Sequence, residues 1–282
     1  MIRLFPKTKE DNMLPTVKIG NADVTRLIIG GNPFCGNSHH SPEMNQAMFD
    51  YYTMENIKRA LHRCHELGIN AFQVRADNHM FAMMRELRAE NNPMRWIAQT
   101  ASEIYYEGNV ASIARNHPAA IYHHGTMTDI FYKAGQLDTI TNNLALIRKT
   151  GKPVGLCTHM PEVVLKSEEL KWDVDFYMLA VYNLSRVERV SSFVTGKPNL
   201  DEPFYEEDPP LAYEVIRAVK KPFLVFKILG ASRRCDSPAA VRGTFAEAFA
   251  NIKDTDAVVV GMFPKTTDQI FENVQYVREI LG

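Results

Sequence analysis

Two kinds of hydrophobic pattern alternate along the chain. Short apolar, β-branched runs occupy residues 26–30, 71–74, 96–99, 119–123, 153–157, 176–181, 223–228 and 257–262. Their length and residue types predict buried strands. Between them lie stretches with apolar residues at three- and four-residue steps. Over 54–67, Ile57, Ala60, Leu61 and Cys64 form one stripe, and Gly68 follows as a C-cap. The same spacing predicts helices over 81–90, 107–116, 137–150, 161–167, 211–219, 238–251 and 267–281. Strands each followed by a helix, eight times over, predict an α/β fold of the (β/α)8 TIM barrel type. A doubly wound sheet is the alternative, but its first turn carries a G-x-G-x-x-G fingerprint, whereas the turn here reads Gly30-Gly31-Asn32-Pro33-Phe34. Ahead of the first barrel strand, residues 16–19 and 23–25 flank Gly20-Asn21. That pattern predicts a β-hairpin, placed to close the bottom of the barrel.

The 282 residues suit one such barrel, so residues 1–282 are read as a single domain. With 45% hydrophobic and 23% charged residues the chain is neither disordered nor fibrous. Lys+Arg 32 against Asp+Glu 33 leaves a net charge of -1, which offers no global attraction for nucleic acid or an anionic membrane. The apolar runs are too short to span a bilayer, and the first twenty residues lack the hydrophobic stretch of a signal peptide. Cys35, Cys64, Cys157 and Cys235 lie far apart without a CxxC pair, as expected of reduced thiols in a cytoplasmic protein. The expected partner is a small-molecule substrate; the oligomeric state is left open.

Two connections exceed simple turns. Residues 32–53 carry His39, His40, Met44, Met48, Phe49, Tyr51 and Tyr52, and residues 183–210 carry Arg186, Arg189 and an acidic, proline-containing stretch from Asp201. Both leave the carboxyl ends of strands, where barrel enzymes build their sites, and are read as lids or substrate walls. The strand ends themselves supply Gln73, Arg75, Asp77, Asn78 and His79, then Gln99 and Thr100, His123 and His124, Thr158 and His159, Tyr182 and Asn183, and Lys227. Polar groups gathered at one rim cost the core unless paired or used. The candidate catalytic residues are therefore His123, His124, Asp77, Lys227, Arg75 and His159. His123 and His124 are adjacent on a strand and point to opposite sides, so only one faces the mouth. Lys227 suits general-base or Schiff-base chemistry, or pairing with a carboxylate or phosphate. His79, His123 and His159 form the alternative metal reading, although no H-x-x-x-H or H-x-H spacing occurs.

Several segments resemble the aldo/keto reductase superfamily. These are Val17 through Val24 with Leu27 through Asn32, Glu66-Leu67-Gly68-Ile69-Asn70-Ala71-Phe72, Gly155-Leu156-Cys157-Thr158-His159, Tyr182-Asn183, and Gly261 with Pro264-Lys265-Thr266, Gln269 and Glu272-Asn273. The resemblance implies the same barrel and an NADP or NAD cofactor, its phosphates held by Lys265, Thr266 and Thr267 at the start of the last helix. Gln269, Asn273, Thr158 and Tyr182 complete the implied cofactor set. Thr266 or Thr267 also reads as an N-cap of that helix. Of the superfamily's Asp, Tyr, Lys and His tetrad, the first three positions hold Gln73, Asn78 and Gln99, and only the His has a counterpart, His123 or His124. Neither Asn78 nor Gln99 can donate a proton as the tyrosine does.

Three functions follow as expectations. The first is a divergent oxidoreductase that uses NAD(P)H on a small polar carbonyl or sugar-like substrate, with a rim histidine replacing the tyrosine acid. The second is a non-redox lyase, isomerase or hydrolase of a sugar-like substrate using His/Asp acid–base chemistry, with a metal not excluded. The third is a binding protein on the same barrel, disfavoured by the ionisable groups at the rim.

Overall fold

A computed structural model describes residues 13–197, 199 and 201–282. Most of the N-terminal stretch read for a signal peptide lies outside them. Strands β1 (Thr16–Ile19) and β2 (Ala22–Thr25) form the hairpin, paired Thr16 to Thr25 through Ile19 to Ala22. The next eight strands are β3 (Leu27–Gly30), β4 (Ala71–Arg75), β5 (Arg95–Gln99), β6 (Ala120–His123), β7 (Val154–Thr158), β8 (Phe176–Ala180), β9 (Phe223–Phe226) and β10 (Ala257–Gly261). All pair in parallel in chain order, and β10 closes on β3 through Gly261 and Gly30. The fold is a (β/α)8 barrel with a separate two-stranded antiparallel sheet.

The two-residue period of the strands divides the core. Ile28, Ala71, Ile97, Ala120, Tyr122, Cys157, Phe176, Met178, Leu224 and Val259 fill the interior, and Val17, Ile19 and Val24 of the hairpin join that cluster from below. The alternate residues, among them Ile29, Phe72, Val74, Trp96 and Ile121, pack outward under the helices.

Helices α1 (Pro42–Tyr51), α2 (Met54–Glu66), α3 (Asn78–Ala89), α4 (Tyr106–Arg115), α5 (Gly125–Lys133), α6 (Leu137–Arg148), α7 (Pro161–Glu169), α8 (Ser192–Thr195), α9 (Asp208–Ala218), α10 (Pro238–Asn251) and α11 (Gln269–Leu281) surround the barrel. Two starts differ from the hydrophobic pattern for a physical reason. Asp77 caps α3 by accepting the Met80 N–H at 2.9 Å, which draws the helix forward to Asn78. Pro209 and Pro210 sit in the first turn of α9, where proline loses no hydrogen bond. The long connections are partly ordered as helices: residues 32–53 contain α1, and residues 183–210 contain α8. Among the described residues no helix is long and apolar enough to cross a membrane, and the four cysteines are free thiols.

Gly155, buried in β7, has no room for a side chain: an added Cβ would lie 2.3 Å from Phe176 and 2.6 Å from the Tyr122 Cβ. Gly155→Ala should therefore destabilise the barrel by about 1–3 kcal/mol, read as a lower denaturant midpoint. An unchanged midpoint would contradict the interior packing described.

Candidate functional site

At the carboxyl ends of the strands lie two adjoining cavities. The inner one, about 100 Å³, is walled by Gln73, Arg75, Gln99, Tyr122, His124, His159, Arg189 and Lys227 among others. The outer one, about 450 Å³, shares His39, Gln73, Phe226 and Lys227 with it and extends past Met44, Met48 and Phe263 to α11. Inward strand positions supply the inner floor, where the Gln73 amide donates to the Tyr122 hydroxyl at 2.5 Å. Burial pushes that phenol well above its ordinary pKa.

His159 follows β7 and is almost fully buried. Its Nδ1 lies 2.8 Å from the Asp129 carboxylate, which also accepts the Thr158 hydroxyl at 2.5 Å and the Ser185 hydroxyl at 2.6 Å. Burial alone would raise the Asp129 pKa, but these partners, His159 foremost, outweigh it and hold the carboxyl below its ordinary range. A carboxylate can only accept, so His159 carries its proton on Nδ1 and keeps a lone pair on Nε2. Arg189 Nη1 lies 3.3 Å from Nδ1 and 3.2 Å from Nε2. Being nearly equidistant from the two, it sits off the Nε2 lone-pair axis. Burial, followed by the Arg189 charge, pushes the His159 pKa down.

Glu202, in the second long connection, is the counter-charge of the site. It pairs with Arg189 at 2.5 Å, His39 Nδ1 at 2.8 Å and Lys227 at 3.8 Å, and its side chain is 2% exposed. Burial opposes its ionisation, yet Lys227, His39 and Arg189 hold its carboxyl far below the ordinary range. His39 accepts from the Asn32 amide through Nε2 at 3.1 Å and so donates to Glu202 through Nδ1. Burial and the Lys227 charge lower its pKa to about 4. Lys227 has a left-handed backbone, φ 62°, a strained conformation for a side-chain-bearing residue. Burial lowers its pKa to about 8 against the opposing pull of Glu202.

Of the six catalytic candidates, the structure brings Arg75, His124, His159 and Lys227 to one cavity. His123 is a correction. It points outward, with Nδ1 2.7 Å from Thr128, Nε2 3.1 Å from Asn143, and its ring against Tyr106 and Phe131. Asp77 is another, being the cap of α3 and an ion-pair partner of Arg75 at 3.5 Å; Arg75 also pairs with Glu103. The alternative metal set does not assemble, because His79 is exposed on α3, His123 lies behind the barrel wall and His159 faces the cavity. Among the described residues no group of three or more His, Cys, Asp or Glu is placed to hold a metal.

The implied cofactor residues also divide. Thr267, Gln269 and Asn273 line the outer cavity, while Lys265 and Thr266 are exposed and outside its wall. Asp268, not Thr266 or Thr267, caps α11, accepting the Phe271 N–H at 3.1 Å and pairing with Arg63 at 3.0 Å. A carboxylate thus holds the helix N-terminus where the resemblance places a phosphate. Thr158 points outward to Asp129, and Tyr182 packs against Phe204. Sequence reading missed Asp129, which lies on the unexpected helix α5, and placed Glu202 only within an acidic stretch.

No protein-family model and no curated protein matches the chain. Solved structures do. A truncated 3-deoxy-D-arabino-heptulosonate 7-phosphate synthase from Thermotoga maritima is 14% identical, with 95% of this chain and 91% of that chain covered and a TM-score of 0.56. The glycerol dehydrogenase AKR11B4 from Gluconobacter oxydans is 11% identical over 95% of each chain, with a TM-score of 0.54. The N-acetylmannosamine-6-phosphate 2-epimerase from Clostridium perfringens is 12% identical over 90% and 91%, with a TM-score of 0.50. These likenesses establish the barrel fold. An aldo/keto reductase stands among barrels of other chemistries, so the resemblance is not specific to that superfamily.

The buried histidines set an acid limit on stability. Burial, the leading cause for all three, lowers His39 and His123 to about 4 and His124 to about 3. As pH falls below 6.5, the unfolded chain takes up protons that the fold excludes. Stability should then drop as pH falls from 6.5 toward 4, by on the order of 1 kcal/mol per pH unit for each such histidine. Denaturant midpoints measured across that range check this; a flat profile would contradict it.

Proposed function

We propose that the protein is a barrel enzyme that moves a proton on a small polar, sugar-like substrate, with His159 as general base and acid. The observation that carries this reading is the buried 2.8 Å contact between His159 Nδ1 and Asp129. Asp129 fixes the tautomer, the lowered pKa keeps His159 neutral at pH 7, and Nε2 can accept a proton from a substrate seated in the inner cavity. Lys227, still mostly protonated at neutral pH, and the Tyr122 hydroxyl line the same cavity and can stabilise oxyanion charge developing on the substrate. Covalent catalysis by thiol is disfavoured: burial pushes Cys35 up to about 12 and Cys157 well above its ordinary value. An isomerase or lyase that forms an enolate-like intermediate fits these parts best.

A nicotinamide-dependent oxidoreductase is the second reading, favoured by the outer cavity that runs from Lys227 to Thr267, Gln269 and Asn273. The same wall carries Glu272, and Asp268 caps the helix, so the residues present do not fit a phosphate cradle there.

Incubation in D2O with a panel of sugar phosphates, hydroxy acids and oxo acids, followed by NMR, tests the first reading. Deuterium should enter one substrate at carbon, and His159→Asn should slow that exchange ~100-fold or more. Exchange unaffected by His159→Asn would refute it. Micromolar binding of NADH or NADPH with carbonyl-dependent oxidation would establish the second reading instead.

A further inference from the structure

The wall of the inner cavity is polarised. Among the described residues that line it are three cations, Arg75, Arg189 and Lys227, and no Asp or Glu. The carboxylates that balance these cations, Glu202, Asp77 and Glu103, stand behind the wall. Helix α5 begins at the same wall through Gly125 and Thr126, and its first turn has no side-chain cap. First-turn amides have no intrahelical acceptor and bear the positive end of the helix dipole. Two wall groups are unsatisfied: His124 Nδ1 and the Nε–H of Arg189 are buried without a hydrogen-bond partner among the described residues. The Arg189 side chain is 6% exposed, so water does not readily supply that partner.

A buried donor left without an acceptor, beside three cationic side chains whose carboxylate partners stand behind the wall and a helix start with no side-chain cap, describes a receptor for an anion. We infer that the inner cavity seats an oxyanion group of the substrate, a carboxylate or a phosphate, held by Arg75, Arg189, Lys227 and the first turn of α5. At about 100 Å³, against about 450 Å³ for the outer cavity, the inner cavity takes one such group with the carbon that bears it, beside His159 on the same wall. The rest of the molecule then extends into the outer cavity through the shared wall at Lys227 and Phe226. Gly125 is suited to this position. A Cβ there would meet Cys157 Sγ at 2.8 Å and His159 Cε1 at 3.2 Å, so the helix start approaches the proposed base as closely as packing allows. The inference deepens the acid–base reading by naming the substrate class, but oxyanion binding does not depend on catalysis.

Calorimetric titration of the full chain with inorganic phosphate and, separately, with malonate tests it, at ionic strength matched with sodium chloride. At least one oxyanion should bind at a single saturable site, and which of them binds tells phosphate from carboxylate recognition. Lys227→Met and Arg189→Met should each weaken binding ~10-fold or more, whereas Lys18→Met, on the exposed hairpin, should retain it. Should Arg189→Met not fold, Arg75→Met replaces it. No saturable binding of either probe above the chloride control, or binding indifferent to these changes, would overturn the inference. Oxyanion binding together with His159-independent turnover would sink the acid–base reading alone. His159-dependent turnover of an uncharged substrate without oxyanion binding would sink this one alone.

Discussion

The mouth of the barrel depends on one buried carboxylate. Arg189 and Lys227 cannot both be withdrawn from water into a cavity wall without a counter-charge, because an unpaired buried ion costs several kcal/mol. Glu202 supplies it and at the same time fixes the tautomer of His39. In doing so it ties together two connections that are distant in the chain, since His39 lies 163 residues from Glu202. The two long connections are thereby walls of one cavity. A buried ionic cluster of this size gives less stability than apolar residues of the same volume would. Its place at a cavity wall, beside a strained backbone at Lys227, is what supports the proposed reading of this rim as a site.

Asp129 plays the parallel part for His159. Its carboxylate accepts from hydroxyl, imidazole and backbone donors, and so holds the imidazole with its proton on Nδ1 and its lone pair on Nε2. Burial first, and then the Arg189 and Lys227 charges, keep it neutral at physiological pH. In the proposed reading, His159 is a base beside a wall that receives negative charge, an arrangement able to take a proton from carbon and stabilise the charge left behind.

Much of the fold was legible in the sequence because strand and helix periods are carried by apolar residues, and the eight barrel strands and the hairpin obey that rule. Helices α1 and α5 do not. Only Met48 of α1 is buried, and the buried face of α5 is Gly125, Thr126, Thr128 and Asp129, so hydrophobic spacing is blind to both. With α5 hidden, Asp129 was hidden too. Strand alternation showed that His123 and His124 point apart, but which one faces inward depends on the register of β6 against β7, His123 opposite Leu156. Glu202 sat in the acidic, proline-containing stretch from Asp201 to Pro210 of a connection read as a lid or substrate wall; only its long-range pairing with His39 and Arg189 singles it out as buried. The tetrad gaps at Gln73, Asn78 and Gln99 were legible, and the structure adds that Asn78 is exposed on α3 while Gln73 and Gln99 line the inner cavity.

The most direct test of the account is nitrogen-15 NMR of the His159 ring across pH. It predicts a neutral ring at pH 7 with the proton on Nδ1, titrating below the ordinary histidine value of about 6.5, and an Nε2 signal that moves when phosphate or malonate binds. A ring protonated on both nitrogens at pH 7, or one carrying its proton on Nε2, would contradict the central claim that Asp129 holds His159 ready as a base.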